Sequence, residues 1–371
     1  MHMVQKNEVP MSRKEYFEIT RRDFLKMAAL TGIGFTLASC GTNKTTITEE
    51  KELIVGSWGG AWDESTQKYI VDPLVKETGA TVSIVPGNSS DHYPKLIANP
   101  DNPPYDVLWL DLDFVAPLAA QNALLPVSDT DAPALANVYD NLKFFNGQAV
   151  AANFGVLCLV YDTDVLPLVD SWQILWDEKV RCKFAMTPLD SWAIQWLIQA
   201  DRLAGGDGSD LNNGIEKTKT LAPYAKALIG DYDSRPAFER KELVVGMMYS
   251  GEAYVMWSSG QKNVAMSKPK EGGVIIPNCL VIPKNAKHPN LAKKFINYAL
   301  SPIAQDGFMS DYASIPASTT ATIPADKKDW MFLGNEIKNL ILPDYTKILK
   351  DKDAVSQRWD AEVVPLVGTK C

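Results

Sequence analysis

The sequence is poor in the residues that build metal sites and acid–base clusters. Its three histidines (His2, His92 and His288) lie far apart, and none of its five cysteines forms a CxxC pair. Structural metal sites and histidine-based catalytic clusters need several such residues at close spacing. We therefore expect neither a metal nor another cofactor. No GxxxxGK[ST], HExxH or Gly-x-Ser-x-Gly motif occurs either, so no P-loop ATPase, zinc protease or serine hydrolase is indicated.

Long apolar runs and an excess of basic residues are also missing. The apolar stretch of residues 27–38 is well short of the roughly 20 residues that a helix needs to cross a bilayer. The chain carries 37 Lys and Arg against 45 Asp and Glu, for a formal net charge of −8. Because phosphate backbones are bound by basic surfaces, this balance argues against a nucleic-acid partner.

A short apolar run behind paired arginines is typical of an export signal. Arg21-Arg22 precedes the run, and Leu37-Ala38-Ser39-Cys40-Gly41 ends it with small residues around a cysteine. The segment resembles a twin-arginine signal joined to a lipoprotein cleavage site. The resemblance implies that residues 1–39 are removed and that Cys40 carries a lipid, which anchors an extracytoplasmic protein to a membrane. Residues 40–50, polar and Thr-rich, are then a flexible tether.

Four cysteines remain beyond Cys40. Twin-arginine substrates typically fold before export, so their thiols start reduced. We therefore expect Cys158, Cys182 and Cys279 to be buried free thiols, with a disulfide as the alternative.

After residue 50, short apolar runs alternate with helical patterns. The clearest segments are strands at 52–56, 80–85 and 105–110 and helices at 62–78 and 211–227. Alternating strands and helices predict parallel sheets with helices on both faces.

An ordered set of short motifs carries a family resemblance over nearly all of residues 52–320. In chain order the motifs are Gly56-Ser57-Trp58, Lys76-Glu77-Thr78-Gly79-Ala80, Tyr105-Asp106-Val107, Ser171-Trp172 with Leu175-Trp176 and Lys179, Gly246-Met247-Met248-Tyr249-Ser250-Gly251, Lys270-Glu271-Gly272-Gly273, Leu280-Val281-Ile282-Pro283-Lys284-Asn285-Ala286 and Ile315-Pro316-Ala317. By these motifs the chain resembles bacterial periplasmic solute-binding proteins of the spermidine/putrescine-binding family.

The resemblance implies an α/β fold of two doubly wound lobes joined by crossover hinge strands, the type II periplasmic-binding-protein arrangement. Residues 50–152 plus 284–322 would form lobe 1, residues 153–283 would form lobe 2, and C-terminal helices of 323–371 would pack across both. The solute would bind in the cleft between the lobes, where strand ends and helix N-termini converge.

Candidate ligand-binding residues lie after strands or at matching family positions. Trp58 follows the first strand and matches an aromatic residue that stacks on the ligand, and an indole face can hold an ammonium group. Asp111 and Asp113 follow the strand at 105–110 and carry carboxylates where the family has hydroxyl groups, although Asp113 also suits a helix cap. Tyr249 ends another strand, at a family tryptophan position.

Two departures from the family pattern concern the ligand. The family's two amine-binding acidic residues fall in the segment that contains Asp190 and Trp192, where Asp190 either substitutes for them or caps a helix. The hinge strand carries Ile276 and Asn278 in place of a tryptophan and an aspartate. A neutral Asn can bond to a ligand but cannot neutralise a buried ammonium group.

The segment Asp233-Ser234-Arg235 is a further candidate for the cleft. Ser234 would offer a hydroxyl group there. If Arg235 also faced the cleft, the ligand would carry a carboxylate or phosphate, because a guanidinium group pairs well with those anions.

We therefore expect a monomeric, lipid-anchored, periplasmic or otherwise extracytoplasmic solute-binding protein of an ABC transporter. It would capture a small polar metabolite, an organic amine or polyamine-like compound, and deliver it to a membrane permease whose ATPase is a separate chain. One alternative is a sensor that presents the bound solute to a receptor. Another is an enzyme on the same scaffold with Cys158 or Cys279 as nucleophile, which is disfavoured because apolar surroundings raise a thiol pKa.

Overall fold

The computed structural model describes residues 50–371, without the side chain of Asp351. The predicted signal at 1–39 and the lipidated Cys40 lie outside the described residues. Within 50–371, no helix is both long and apolar enough to be a membrane span.

The strands of the described chain belong to one mixed sheet. They are β1 (Glu52–Ser57), β2 (Thr81–Pro86), β3 (Val107–Asp111), β4 (Lys143–Phe144), β5 (Ala149–Asp162), β6 (Phe184–Met186), β7 (Ala227–Leu228), β8 (Val245–Tyr249), β9 (Val264–Met266), β10 (Val274–Val281) and β11 (Ile315–Pro316).

The helices alternate with these strands. The α-helices are α1 (Gly60–Thr66), α2 (Asp72–Thr78), α3 (Ser89–Ala98), α4 (Leu112–Ala120), α5 (Ala193–Leu203), α6 (Leu211–Lys219), α7 (Asp231–Glu239), α8 (Ser250–Ser258), α9 (Pro289–Ala299), α10 (Pro302–Tyr312), α11 (Tyr345–Ile348) and α12 (Lys352–Arg358). π-Helical segments at Gln67–Val71 and Trp359–Val363 follow α1 and α12. Short 3₁₀ helices lie at Pro133–Asn137, Asp140–Leu142, Phe145–Gly147, Trp172–Trp176, Glu178–Val180, Ala222–Tyr224, Ala325–Trp330, Gly334–Asn339, Leu349–Asp351 and Val364–Leu366.

The sheet has two parallel ends and an antiparallel centre, in the order β2-β1-β3-β10-β5-β8-β6-β7. Strands β1, β2 and β3 run parallel and form the sheet of lobe 1. Strands β8, β6 and β7 run parallel and form the sheet of lobe 2. The strand–helix alternation predicted from the sequence is confirmed.

Strands β5 and β10 cross from one lobe to the other. All 14 residues of β5 are buried, which explains why it is an unbroken apolar run in the sequence. Its first half pairs with β4 and β11, and its second half pairs with β8 and β9. β10 pairs with β5 along its length, with a register shift between Asn278 and Cys279, and it also joins β3. These two antiparallel strands are therefore the connection between the lobes.

The predicted helix at 211–227 is wrong in its second half. Helix α6 ends at Lys219, and Ala227–Leu228 is strand β7, at the edge of the lobe 2 sheet. Pro223 lacks a backbone N–H and disfavours helical geometry in the residue before it, so the helix cannot continue through this point.

The expectation that Cys182 is a free thiol is also wrong. Cys182 forms a disulfide with Cys371, with their Cα atoms 5.4 Å apart. The C-terminal residues reach Cys182 because Gly368 and Lys370 donate backbone hydrogen bonds to the 222–223 turn, at 3.2 and 2.9 Å. Cys158 and Cys279 are buried free thiols, as predicted.

We predict that the disulfide stabilises lobe 2. It closes a loop of 189 residues, and such cross-links typically contribute about 2–4 kcal/mol to the free energy of unfolding. The double variant Cys182→Ser/Cys371→Ser should therefore show a lower thermal midpoint, and wild-type protein in reductant should match it. Reductant should leave the double variant's midpoint unchanged. Complete alkylation of Cys182 in denatured, unreduced protein would contradict the pairing.

Candidate functional site

A cavity of about 430 Å³ lies between the lobes. Its walls begin at the carboxyl ends of β1 and β3 in lobe 1 and of β6, β7 and β8 in lobe 2. The lining residues are Trp58, Trp62, Asn88, Ser89, Asp111, Pro188, Asp190, Ser191, Trp192, Leu228, Ile229, Gly230, Asp231, Tyr232, Asp233, Tyr249, Glu252, Asn278 and Tyr312. Open α/β sheets bind their ligands at this position.

The charge in this cavity has a single sign. Its ionisable acids are the five carboxylates of Asp111, Asp190, Asp231, Asp233 and Glu252, and no Lys, Arg or His of the described chain lines it. Glu252 alone of the five pairs with a cationic side chain of residues 50–371, through a 2.6 Å contact with Arg235 outside the lining. The remaining four have no ion pair with a side chain of the described residues.

Lobe 1 holds Asp111 at the end of β3. Its Oδ2 accepts a 2.7 Å hydrogen bond from the Ser89 hydroxyl, and that hydroxyl accepts a 3.1 Å bond from Trp58 Nε1. The Oδ1 atom is buried without a hydrogen-bond partner in the described structure. Burial, and secondarily the charge of Asp113, raises the Asp111 pKa to about 7.

Lobe 2 presents a second aspartate in a similar setting. Asp231 begins α7, and its Oδ2 accepts a 2.9 Å hydrogen bond from Trp192 Nε1. Its Oδ1 is also buried and unpartnered within residues 50–371. Burial, and then repulsion from Glu252, raises the Asp231 pKa. Each lobe thus places one aspartate with an unpartnered Oδ1 atom in the cavity wall.

Aromatic rings cover much of the remaining wall. In lobe 1, the Trp62 ring lies 5.0 Å from Trp58 and 5.2 Å from Tyr312, between ring centroids. In lobe 2, the Trp192 and Tyr249 rings are 6.2 Å apart. Aromatic faces carry partial negative charge, so they attract cations as the carboxylates do.

The floor of the cavity is built on the crossover strands. Asn278 of β10 donates from Nδ2 to Asn153 Oδ1 at 2.6 Å and to the Tyr249 hydroxyl at 3.0 Å. The Tyr249 ring fits because residue 155 is glycine: a Cβ there would lie 2.2 Å from the ring. The floor is therefore fixed to the strands that join the lobes.

Six of the eight predicted ligand-binding residues line this one cavity, and their roles as ligand contacts stay predictions. They are Trp58, Asp111, Asp190, Trp192, Tyr249 and Asn278.

Asp113 and Ser234 are not brought to the cavity. Asp113 lies in the first turn of α4 and forms a 3.1 Å ion pair with Lys352. The Ser234 hydroxyl donates to the Gly230 carbonyl within α7 at 2.9 Å. Both are satisfied by contacts within the protein. Arg235, paired with Glu252, is likewise absent from the lining.

The two candidate nucleophiles are also outside the cavity. Cys158 and Cys279 have no exposed surface, and burial raises the pKa of both thiols. A reactive thiolate needs access and a lowered pKa, so neither cysteine has the surroundings of a nucleophile.

Sequence reasoning missed Trp62, Asp231, Tyr232, Glu252 and Tyr312. The signal for Asp231 and Tyr232 was present, because Gly230-Asp231-Tyr232-Asp233 follows a short apolar run, but the helix predicted at 211–227 extended into that run and no strand was predicted there. Glu252 and Tyr312 lie within helices α8 and α10, and only the tertiary packing carries them to the cavity.

Comparison with known proteins agrees with this geometry. The model of the family described as bacterial extracellular solute-binding protein matches residues 69–332. The chain belongs to this family. A curated relative, the spermidine/putrescine-binding periplasmic protein of Salmonella typhimurium, is 25% identical over 251 residues, which cover 65% of this chain and 71% of the relative.

Solved structures share the fold, which is the predicted two-lobed type II arrangement. An extracellular solute-binding protein from Bordetella parapertussis superimposes with a TM-score of 0.70 at 22% identity, covering 84% of this chain and 99% of its own. A spermidine/putrescine ABC transporter substrate-binding protein from Streptococcus pneumoniae gives 0.67 at 18% identity, with coverage of 83% and 100%. A periplasmic binding protein from Actinobacillus pleuropneumoniae with fructose 6-phosphate bound gives 0.68 at 18% identity, with coverage of 84% and 98%. The shared fold alone therefore does not fix the ligand.

We predict that Asp111 makes the ligand-free protein less stable as pH rises. Its folded pKa is raised above the ordinary carboxyl value, so its stabilising contribution is complete below about pH 4 and is lost as pH rises through about 7. Between about pH 5 and pH 8, the free energy of unfolding measured in urea should fall less in Asp111→Asn than in wild type. The two falls should differ by about 1 kcal/mol, because the side chain keeps some solvent access. The exposed Asp101→Asn serves as control and should follow wild type. Parallel loss in all three proteins would show that Asp111 titrates normally.

Proposed function

We propose that this solute-binding protein captures a small organic amine, cationic at neutral pH, in the cleft between its lobes. The observation that carries the proposal is the cavity's composition: five carboxylates, several aromatic faces and no cationic side chain of the described residues. A cationic ligand would compensate this charge, whereas an anionic ligand would add to it.

The two partly bonded aspartates favour a ligand with N–H donors. Asp111 and Asp231 each keep one buried Oδ1 without a partner among residues 50–371. A buried acceptor without a donor is costly, and an ammonium group would supply both the donor and the opposite charge. Since the two residues belong to opposite lobes, a ligand that reaches both would stabilise the closed arrangement.

The aromatic rings favour an organic cation over a bare metal ion. Trp58, Trp62, Trp192, Tyr249 and Tyr312 line the cavity together with the acids. An ammonium group against an aromatic face gains about 0.5–2 kcal/mol, and the rings can also pack against methylene groups. Metal ions of the Ca²⁺ or Mg²⁺ type are held by clustered oxygens instead.

The curated relative supports an amine ligand, whereas one structural neighbour binds a ligand of another kind. The name of the Salmonella typhimurium relative specifies spermidine and putrescine, which suits the acidic cavity here. The fructose 6-phosphate of one structural neighbour carries an anionic phosphate, and this cavity offers no cationic side chain from residues 50–371 to hold it.

The proposal includes the partners of the protein. As a monomer anchored through a lipid on Cys40, it would capture solute outside the cytoplasm and deliver it to an ABC permease driven by a separate ATPase. The tether at 40–50 would confine the binding lobes near the permease and so raise their effective concentration there.

We predict that polyamines, and not sugar phosphates, stabilise the protein. A thermal shift screen with putrescine, spermidine and fructose 6-phosphate tests this, since a ligand at 100 times its Kd adds about 2.7 kcal/mol to the free energy of unfolding. Putrescine affinity should rise between about pH 5.5 and 8, because Asp111, whose pKa is raised to about 7, must lose its proton to pair with an ammonium group. Stabilisation by the sugar phosphate alone would overturn the amine proposal.

We predict that Asp231→Asn weakens amine binding by about ten- to hundredfold, the range expected for one hydrogen bond to a charged group. Trp58→Ala should weaken it by up to about thirtyfold through lost contact with the cation. Calorimetry measures both. Asp101→Asn and Tyr139→Ala, exposed residues outside the cavity lining, are the matched controls. Unchanged affinity in Asp231→Asn would place the amine elsewhere.

A further inference from the structure

The last part of the chain, residues 345–371, is tied firmly to lobe 2, and we call it the C-terminal brace. Its end is joined to Cys182 by the disulfide. Arg358 contacts Glu216 of α6 at 2.6 Å, and Lys219 of α6 contacts Glu362 at 2.8 Å. These contacts fix the position of the brace relative to lobe 2.

The same brace reaches lobe 1 through Lys352. The Lys352 ammonium group lies 3.1 Å from Asp113 Oδ2 and 4.1 Å from the centre of the Phe114 ring, both on α4. This is the brace's one ion pair to lobe 1 among the described residues. Asp113 is only 6% exposed, and Lys352 is its ion-pair partner among the described residues. Nearby, the buried Tyr345 of the brace accepts a 3.1 Å hydrogen bond from Gln195 of lobe 2.

Asp113 lies two residues from Asp111, which lines the cleft. The charged groups that act on Asp111 are Asp113, which opposes its ionisation, and Lys352, which favours it, while the Ser89 hydroxyl bonds to it directly. A carboxyl group ionises less readily beside an unpaired carboxylate. It ionises more readily when that neighbouring carboxylate is paired with a cation. The electrostatic surroundings of a cleft residue therefore include a lysine behind the cleft, from the far end of the sequence.

We propose that Lys352 is a positioning residue for cation recognition: held in place by the C-terminal brace, it pairs with Asp113 and so favours the charged form of Asp111 that a cationic solute would meet. This inference rests on the proposed function for the part that concerns the solute. The residue acts through Asp113 and Asp111 and needs no contact with the ligand.

The first test needs no ligand. Carbon-13 NMR of labelled aspartate carboxyl groups in the whole protein, with Asp111→Asn to identify the signal, gives the titration midpoint of Asp111. Lys352→Met keeps an unbranched apolar stem but removes the ammonium group and leaves Asp113 uncompensated, so the midpoint should rise by about half a pH unit or more. Asp113→Asn should lower it by a similar amount. The double variant should return close to wild type.

A second lysine of the brace provides the control. Lys347→Met removes another brace lysine, which pairs with Asp344 in its own turn and is 76% exposed, and it should not move the midpoint. A purely structural role would give no opposite shifts in the two single variants. Equal midpoints in wild type, Lys352→Met and Asp113→Asn would overturn the proposal. If Lys352→Met does not fold, Asp113→Asn and the double variant decide it.

The second test uses putrescine and calorimetry across the same pH range. The pH of half-maximal affinity should rise in Lys352→Met, fall in Asp113→Asn and be restored in the double variant. If wild type binds no amine but the NMR shifts occur, the proposed function fails and the charge coupling stands. If putrescine binds with one pH profile in all variants and the NMR midpoints are equal, the amine function stands and the role of Lys352 is refuted.

Discussion

The antiparallel pairing of β5 with β10 is the constraint on which the molecule depends. These strands connect the lobes, occupy the centre of the sheet and carry the floor of the cleft. Asn278 on β10 bonds both to Asn153 on β5 and to Tyr249, and Gly155 on β5 leaves space for the Tyr249 ring. A change in the angle between the lobes would therefore act on the residues that form the floor of the cavity. Under the proposed function, ligand binding and lobe movement would involve the same residues.

The cleft also shows how a binding protein holds charge that a core would not tolerate. Buried carboxylates are costly unless they are paired, and the structure pairs three of them: Asp162 with Lys241, Asp113 with Lys352 and, at the cavity wall, Glu252 with Arg235. Asp111 and Asp231 have hydrogen-bond donors on one oxygen only. Their raised pKa values express this incomplete solvation. Under the proposed function, a bound cation would supply the missing partner, so the cost of burying these groups in the ligand-free protein would be recovered as affinity.

The sequence could predict whatever depends on local pattern. Strand ends place Trp58, Asp111 and Tyr249 by alternation alone, and all three line the cavity. Contacts between residues far apart in the chain could not be predicted from local sequence patterns. The pairing of Cys182 with Cys371 depends on how the last residues lie along the 222–223 turn. Asp113 differs from Asp111 by two positions, yet a lysine 239 residues away determines its surroundings. Asp231 was missed because the helix predicted at 211–227 extended into the edge strand that precedes it.

The carboxylates of the cavity provide a physical link between ligand binding and lobe closure. Both lobes contribute carboxylates to one cavity, so bringing the lobes together without a cation concentrates negative charge where solvent is being removed. A cation between them reverses that effect, because its attraction to both walls grows as water leaves. A ligand shifts a conformational equilibrium only by the difference in its affinity for the two states. Under the proposed function, most of that difference would come from the ligand's positive charge, so a neutral molecule of the same shape should favour the closed state less.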